Sequence, residues 1–246
     1  MMREKPAENL SILAEHAQSL LKLNLSLAQL QKFSQLSELL LDWNRGMNLT
    51  AIKDPTDIAI KHYLDSLTLM KAIPRFEGLR LMDVGTGAGF PGLALAIAWP
   101  NLHVTLLDAT RKKLRFIDHA GQALGLENIR SLHARAEDAG RHPDHRGMYD
   151  IVTARAVARM PVLMEYTLPL AKSGGLVIAM LGSEARKEIS SAAKAISELG
   201  GELSAIEEIS LPTLDHPRHL AVIGKIKQTP RHYPRQAGTP ARKPIQ

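Results

Sequence analysis

The sequence predicts an α/β fold: a mostly parallel sheet with helices on both faces, an antiparallel pair at one edge, and a helical extension in front. Three observations carry this. Between residues 79 and 200, short apolar runs alternate with helix-like stretches, the pattern of parallel strands joined by crossover helices. The last two apolar runs have no helix between them, so they should pair antiparallel at the edge. The first seventy or so residues carry their apolar side chains at helical spacing instead.

Residues 8 to 42 place Leu10, Leu13, Ala17, Leu20 and Leu21, then Leu30, Phe33, Leu36 and Leu40, on a helical period, which breaks at Asn44 to Asn48. Asp54-Pro55 reads as an N-cap with proline at the first helical position, opening a helix to about Met70. Leu79 to Val84 is a strand running into a glycine-rich turn and a helix, and His103 to Leu107 is a second strand ending at Asp108. A helix over 111–124 closes at Gly125, and a short strand follows over 129–133. Then come a strand at 149–153, a helix at 161–171, a strand at 175–180 and a helix at 183–199 stopped by Gly200-Gly201. Strands at 202–209 and 219–227 finish the sheet, and residues 228–246, rich in Pro, Arg and Gly, read as a tail. The reading divides the chain into a helical extension (1–72), a sheet domain (73–227) and a basic tail (228–246).

The absence of cysteine removes disulfides, thiolate metal sites and cysteine nucleophiles, and fits a reducing compartment. Met1 to Leu10 carries Arg3, Glu4, Lys5 and Glu8 rather than the apolar stretch of a signal peptide. No run approaches the ~18 apolar residues of a membrane span. A cytoplasmic protein with no membrane partner is expected. The net charge of +6 equals the six cations from Lys225 onward (Lys225, Lys227, Arg231, Arg235, Arg242, Lys243), a stretch without an acid. A polyanion contacting this segment is one reading and a solvated tail the other. The first predicts that deleting residues 228–246 flattens the salt dependence of nucleic-acid binding.

The turn Gly85-Thr-Gly87-Ala-Gly89-Phe-Pro-Gly92 lies where the first strand-to-helix connection of an α/β sheet meets a ligand. Gly87, Gly89 and Gly92 also satisfy the dinucleotide pattern, and Asp108 lies at the distance of a ribose-binding acid, so the turn alone is ambiguous. Charge separates the readings. A pyrophosphate favours a helix N-terminus without a neighbouring carboxylate. Asp83, two residues before Gly85, would repel it but attract the ammonium of S-adenosylmethionine. Asp108 can accept the ribose hydroxyls, and Ala136-Glu137 can border the adenine. Three successive strand ends offering Asp83, Asp108 and Glu137 suit a cationic, phosphate-free nucleoside. Glycines allow close backbone approach to it.

Without cysteine, base-carbon methylation at C5 lacks its usual nucleophile. The Asp- or Asn-Pro-Pro-aromatic run of amine methylation is replaced by Thr153-Ala-Arg155-Ala. Guanine N7 carries its own in-plane lone pair and needs no general base, so no catalytic residue is assigned and positioning would carry the reaction; O-methylation and protein substrates survive this elimination. Arg155 stands where a ligand carboxylate or a guanine edge would be met, and could orient the substrate. Its alternative is an ion pair with Glu137 or Asp83. Arg111-Lys112-Lys113 opens a helix at Thr110, opposing the helix dipole, which hints at phosphate contact. The histidines show no metal-ligand spacing, and no metal is expected.

Taken together, Asn48-Leu-Thr-Ala-Ile52, Lys61-His-Tyr-Leu-Asp-Ser66, Asp83 to Gly92, Arg135-Ala-Glu137, Arg155-Ala156 and the Thr229-Pro…Tyr233-Pro-Arg235…Gly238-Thr-Pro240 tail resemble the RsmG (GidB) ribosomal RNA methyltransferases. The resemblance spans nearly the whole chain. It implies a Rossmann-like, S-adenosylmethionine-dependent methyltransferase sheet and N7 methylation of a guanine in the 530 loop of 16S rRNA. It also implies donor contacts at Gly85, Phe90, Asp108 to Thr110, Ala136, Glu137 and Arg155. Asp108-Ala-Thr-Arg-Lys departs slightly from the family's Asp-Ser-x-x-Lys, which bears on Ala109 and Thr110. The partner implied is 16S rRNA or an assembling small subunit; a monomer is expected. A nicotinamide dehydrogenase on the same sheet and a noncatalytic RNA-binding assembly factor are the competing functions.

Overall fold

Leu13, Ala17 and Leu21 line the buried side of α1 (Lys5–Leu21), and Phe33, Leu36 and Leu40 that of α2 (Leu27–Met47). The computed structural model describes residues 5–73 and 76–246, so the start of the charged N-terminal stretch, residues 1–4, lies outside the described residues. The single helical run expected over 8–42 is therefore two helices. The break has a cause legible in the sequence: Ser26 accepts from Gln29 N at 3.3 Å while Gln29 Oε1 accepts from Ser26 N at 2.8 Å, a reciprocal capping box that starts α2. Lys22, at φ +56, turns the chain between them. The helix also outlasts the expected break at Asn44, ending when Asn48 adopts a left-handed conformation.

Asp54 caps the next segment as expected, accepting from Asp57 N at 3.0 Å. The helix it opens is not regular. It runs through α3 (Pro55–Ile58), a π turn (Ala59–Leu64), α4 (Asp65–Leu67) and a 3₁₀ turn (Thr68–Lys71). In the π turn, the Asp65 N–H donates to Ile60 O, five residues back. Such single-turn insertions recur at functional sites, and this one carries Lys61 and His62.

Seven strands form one sheet in the order β3-β2-β1-β4-β5-β7-β6. They are β1 (Arg80–Val84), β2 (His103–Asp108), β3 (Ile129–His133), β4 (Tyr149–Arg155), β5 (Ala171–Leu181), β6 (Gly201–Ile209) and β7 (Arg218–Lys225). The first five are parallel, and β7 runs antiparallel to both β5 and β6, as the missing crossover predicted. Chain order reverses between β1 and β4, which opens a crevice beyond their carboxyl ends. The remaining helices are α5 (Gly92–Ala98), α6 (Arg111–Ala123), α7 (Ala136–Arg141), α8 (Met160–Thr167), α9 (Ala185–Ser191), α10 (Ala193–Glu198) and α11 (Thr239–Arg242). The helix expected over 183–199 is split at Ala192, and α7 was not foreseen, because Ala-Glu-Asp-Ala-Gly-Arg has no apolar period.

One face of the sheet shares its core with α1, α2, α5 and α6, through residues such as Leu13, Phe33, Leu95 and Phe116. The other face packs α8 and α10, and here Tyr233 and Ile245 of the C-terminal stretch are buried too. What composition marked as a tail is docked on the sheet's second layer. Of the six cations from Lys225 onward, Lys225 is buried and donates to Leu199 O, and Arg235 is paired with Glu165. Lys227, Arg231, Arg242 and Lys243 remain exposed.

Candidate functional site

Beyond the carboxyl ends of β1, β2 and β3 lies a cleft of roughly 300 Å³ that brings together Gly85, Asp108, Ala109, Ala136 and Glu137. The turn that closes it folds as it does because of its own packing. Gly85 sits at φ +66, and a Cβ there would come within 2.7 Å of Val157. At Gly92 a Cβ would lie 2.3 Å from Leu106 and 3.0 Å from Asp83 Oδ2. These two glycines are therefore demanded by the protein's own side chains, not only by an approaching ligand. Gly87 and Gly89 also hold positive φ, +61 and +91.

Asp83 stands behind the turn, fully buried. Its Oδ2 accepts from Thr86 Oγ1 at 2.6 Å and from Gly92 N at 2.9 Å, while Oδ1 has no hydrogen-bond partner. Burial pushes this carboxyl up to about 6, against the pull of its two donors and Arg155. Asp83 lines neither cleft; from behind the turn its buried negative charge favours a ligand that brings a positive charge to the turn and opposes a pyrophosphate. Asp108 stitches the first two turns together: Oδ2 accepts from Gly87 N at 3.0 Å and Oδ1 from Thr110 N at 2.7 Å. Each oxygen keeps a lone pair for a ribose hydroxyl. Thr110 occupies the N-cap of α6, but its hydroxyl makes no capping bond. Lys113 Nζ lies 3.7 Å from Asp108 Oδ2, so part of the basic first turn is balanced by this acid. Glu137 is buried, its Oε1 accepting from Gly238 N at 2.8 Å.

A second cleft opens beside the first, and the two share Ala156, a non-glycine residue at φ +55. Its walls include Lys61, His62, Asp65, Arg155, Met180 and Arg218. Arg155, at the end of β4, donates through Nη1 to Asp65 Oδ2 at 2.9 Å and to Lys61 O at 3.1 Å. Its Nη2 lies 3.2 Å from His62 Nδ1, and the guanidinium carbon lies 5.7 Å from the Phe90 ring centroid. Arg155 does pair with an acid, the alternative to ligand contact, but that acid is Asp65 rather than Glu137 or Asp83, because the end of β4 faces the helical extension. Because an arginine only donates, His62 Nδ1 must accept, which places the imidazole proton on Nε2, 2.9 Å from Thr50 Oγ1. Burial and the Arg155 charge lower the imidazole to about 3, so it is neutral in service. Thr50 is itself pinned by Asn44, whose amide pairs with the Thr50 backbone at 2.9 Å on both sides.

Phe90 faces this second arrangement rather than the first cleft. It is buried, stacked on His62 at 4.6 Å between ring centroids and tilted against Tyr63. Sequence reasoning from residue chemistry gave no role to Thr50, His62, Asp65 or Arg218. Arg218 Nε lies 3.5 Å from Asp65 Oδ1, so two guanidinium groups share one buried carboxylate and the cleft keeps a positive excess. The available signal was the run Lys61 to Ser66, which the family resemblance had already marked. Among the described residues no group of three or more His, Asp or Glu side chains is placed to hold a metal ion, and no described helix is long and apolar enough to cross a membrane.

The family model described as rRNA small subunit methyltransferase G (GidB) matches residues 29–220. The ribosomal RNA small subunit methyltransferase G of Desulforamulus reducens is 43% identical over 96% of this chain and 99% of its own length. That of Lactobacillus johnsonii is 46% identical over 93% of this chain and 98% of its own, and that of Bacillus subtilis 43% over 91% and 94%. Among solved structures, a 16S rRNA (adenine(1408)-N(1))-methyltransferase from Catenulisporales acidiphilia superposes with a TM-score of 0.52 at 15% identity, covering 67% of this chain and 93% of that one. The [4+2]-cyclase SpnF does so with a TM-score of 0.54 at 14% identity, covering 66% and 80%. These likenesses show a Rossmann-like α/β sheet shared by a methyltransferase and a cyclase, and leave the reaction to the site. With its full-length relatives and the matched glycine turn on one chain, this protein belongs to the rRNA small subunit methyltransferase G (GidB) family.

Proposed function

We propose that this protein transfers a methyl group from S-adenosylmethionine to N7 of a guanine in the 530 loop of 16S ribosomal RNA. Methylation of small-subunit rRNA is supported by the family and by the relatives' names; the base, atom and loop follow from the resemblance of the sequence motifs. The observation that carries the reading is the junction of two clefts at Ala156: one presents Asp108 and Glu137 beside Lys113 and Arg135, and in the other Arg155 and Arg218 flank the buried Asp65.

In this reading Asp83 and the Gly85–Gly89 turn hold the amino-acid end of the donor, Asp108 its ribose, and Ala109, Thr110, Ala136 and Glu137 its base. Bound there, the donor supplies a methyl group activated by a sulfonium. Arg155 orients the guanine. Its bonds to Asp65, Lys61 and His62 use both Nη1 hydrogens and one on Nη2, which leaves Nε–H and the second Nη2–H for guanine O6 while the N7 lone pair stays free for the methyl group. Neutral His62 and Asp65 fix the guanidinium plane, and no side chain is needed to remove a proton from N7. The division of the chain at 72/73 and 227/228 then becomes one of labour: the extension positions Arg155 and the sheet holds the donor. We place the work in the cytoplasm, on 16S rRNA or an assembling small subunit, by a monomer.

The direct test is mass spectrometry of nucleosides from 16S rRNA lacking the modification, treated with the protein and the donor. A new 7-methylguanosine mapped to the 530 loop is expected; methylation elsewhere, or none, refutes the assignment.

The exposed cations of the C-terminal segment give a separate prediction. The triple variant Arg231→Ala, Arg242→Ala, Lys243→Ala should flatten the slope of log K for RNA against log salt by about 2 if all three meet phosphates of unpaired RNA. Filter binding between low and moderate salt reads this directly, and an unchanged slope removes these side chains from the interface.

A further inference from the structure

The C-terminal segment grips the two helices that wall the first cleft. Glu165 on α8 is fully buried, and Arg235 donates four hydrogen bonds to it. The Arg235 backbone N–H and Nε donate to Oε1 at 2.7 and 2.9 Å, and Nε and Nη2 donate to Oε2 at 3.1 and 2.5 Å. The next residue along α8, Tyr166, lines the cleft. Three residues past Arg235, the chain turns at Gly238, φ +82, and its N–H reaches Glu137 on the first turn of α7. The other end of α7 is held as well. Arg141 Nε donates to Pro234 O at 2.7 Å, and a Cβ on Gly140 would come within 2.9 Å of the Pro234 ring. Tyr233 anchors the segment to α10 through its hydroxyl, which donates to Glu198 Oε1 at 2.5 Å. Ordinary surface chain does not need an ion pair whose acid is fully buried, and leaving Glu165 unpaired would be strongly unfavourable.

From these contacts we propose that residues 229–242 are a working part of the methyl-donor site, with Gly238 and Arg235 acting as positioning residues that set Glu137 and the α7–α8 wall. This rests on the reading of the first cleft as the donor site. Docking of the segment and binding of the donor then favour each other, because linkage between two equilibria is reciprocal. No contact between the segment and the donor is required; the coupling runs through Glu137 and Tyr166.

Hydrogen exchange on the full chain, with and without saturating S-adenosylmethionine, tests this without any variant. The donor should slow exchange at least tenfold in peptides covering 229–242 and in the Asp83–Gly92 turn, and leave edge strand β6 unchanged. If the turn slows and residues 229–242 do not, the positioning role is wrong while the donor site stands. If neither slows, the donor reading fails and the proposal with it. In steady-state assays, Arg235→Ala should raise KM for the donor at least tenfold with kcat within threefold, and Arg235→Lys should recover part of that rise. A loss of thermal stability with KM unchanged would mark Arg235 as structural only.

Discussion

Asp83→Asn should weaken S-adenosylmethionine binding by about 10- to 100-fold, the size expected for losing a charge-assisted contact, without destabilising the fold. The two parts of this expectation have separate causes. Thr86 Oγ1 and Gly92 N both donate to the same oxygen, Oδ2, which the side-chain carbonyl of asparagine can replace. The other oxygen has no partner in the protein, so its charge is desolvated without return. Because burial raises the carboxyl from 3.8 to about 6, the folded chain holds its proton where the unfolded chain has lost it. Stability from this group is therefore greatest below the unfolded value and declines as pH rises through about 6, then stays level. Removing the charge should abolish that slope and add about 1–2 kcal/mol at neutral pH in the absence of ligand. Thermal melts between pH 4 and 7.5, paired with calorimetric titration of the donor, check both halves. A variant that binds as tightly as its parent would detach Asp83 from the site.

Arg155→Ala should be the more damaging change, lowering kcat/KM for methyl transfer by about 100-fold or more, equivalent to roughly 3 kcal/mol. Asp65 is 3% exposed at its side chain, and Arg155 provides its closest cation, at 2.9 Å. Losing one partner of a buried pair costs about 3–5 kcal/mol; Arg218, 3.5 Å from the other oxygen, should hold the loss near the lower end. The double variant Arg155→Ala, Asp65→Asn should then recover stability but not activity, which separates the two roles. His62 supplies an independent readout. Its imidazole is lowered to about 3 first by burial and second by Arg155, so NMR should find it titrating at higher pH in the alanine variant. An unmoved His62 titration would mean that Arg155 does not hold the imidazole.

How much of this was legible beforehand depended on whether the cause was local. The glycine turn, Asp83 and Asp108 are set within a few residues of sequence, and the sheet with its antiparallel edge followed from alternation alone. The break at Lys22–Ser26 was also local: Ser26 and Gln29 stand at capping-box spacing, but the apolar period running through them masked it. Asp65 and Arg155 meet 90 residues apart, and no pattern in either neighbourhood predicts the pairing. Helix α7 is too short to show a period. The C-terminal segment misled for a further reason, since Pro, Gly and Arg describe solvated chain equally well. What fastens it lies far off in sequence: the buried Glu165, 70 residues before Arg235, and Glu137, 101 before Gly238.

Methyl transfer here requires the first cleft to accept a cationic nucleoside that carries no phosphate. Calorimetric titration of the intact protein with S-adenosylmethionine, and separately with NAD, across pH 5 to 8 puts that to the test. Saturable binding of S-adenosylmethionine that weakens as Asp83 gains its proton below about pH 6, with no heat from NAD, is the predicted result. Binding of NAD, or donor binding indifferent to pH across that window, contradicts it.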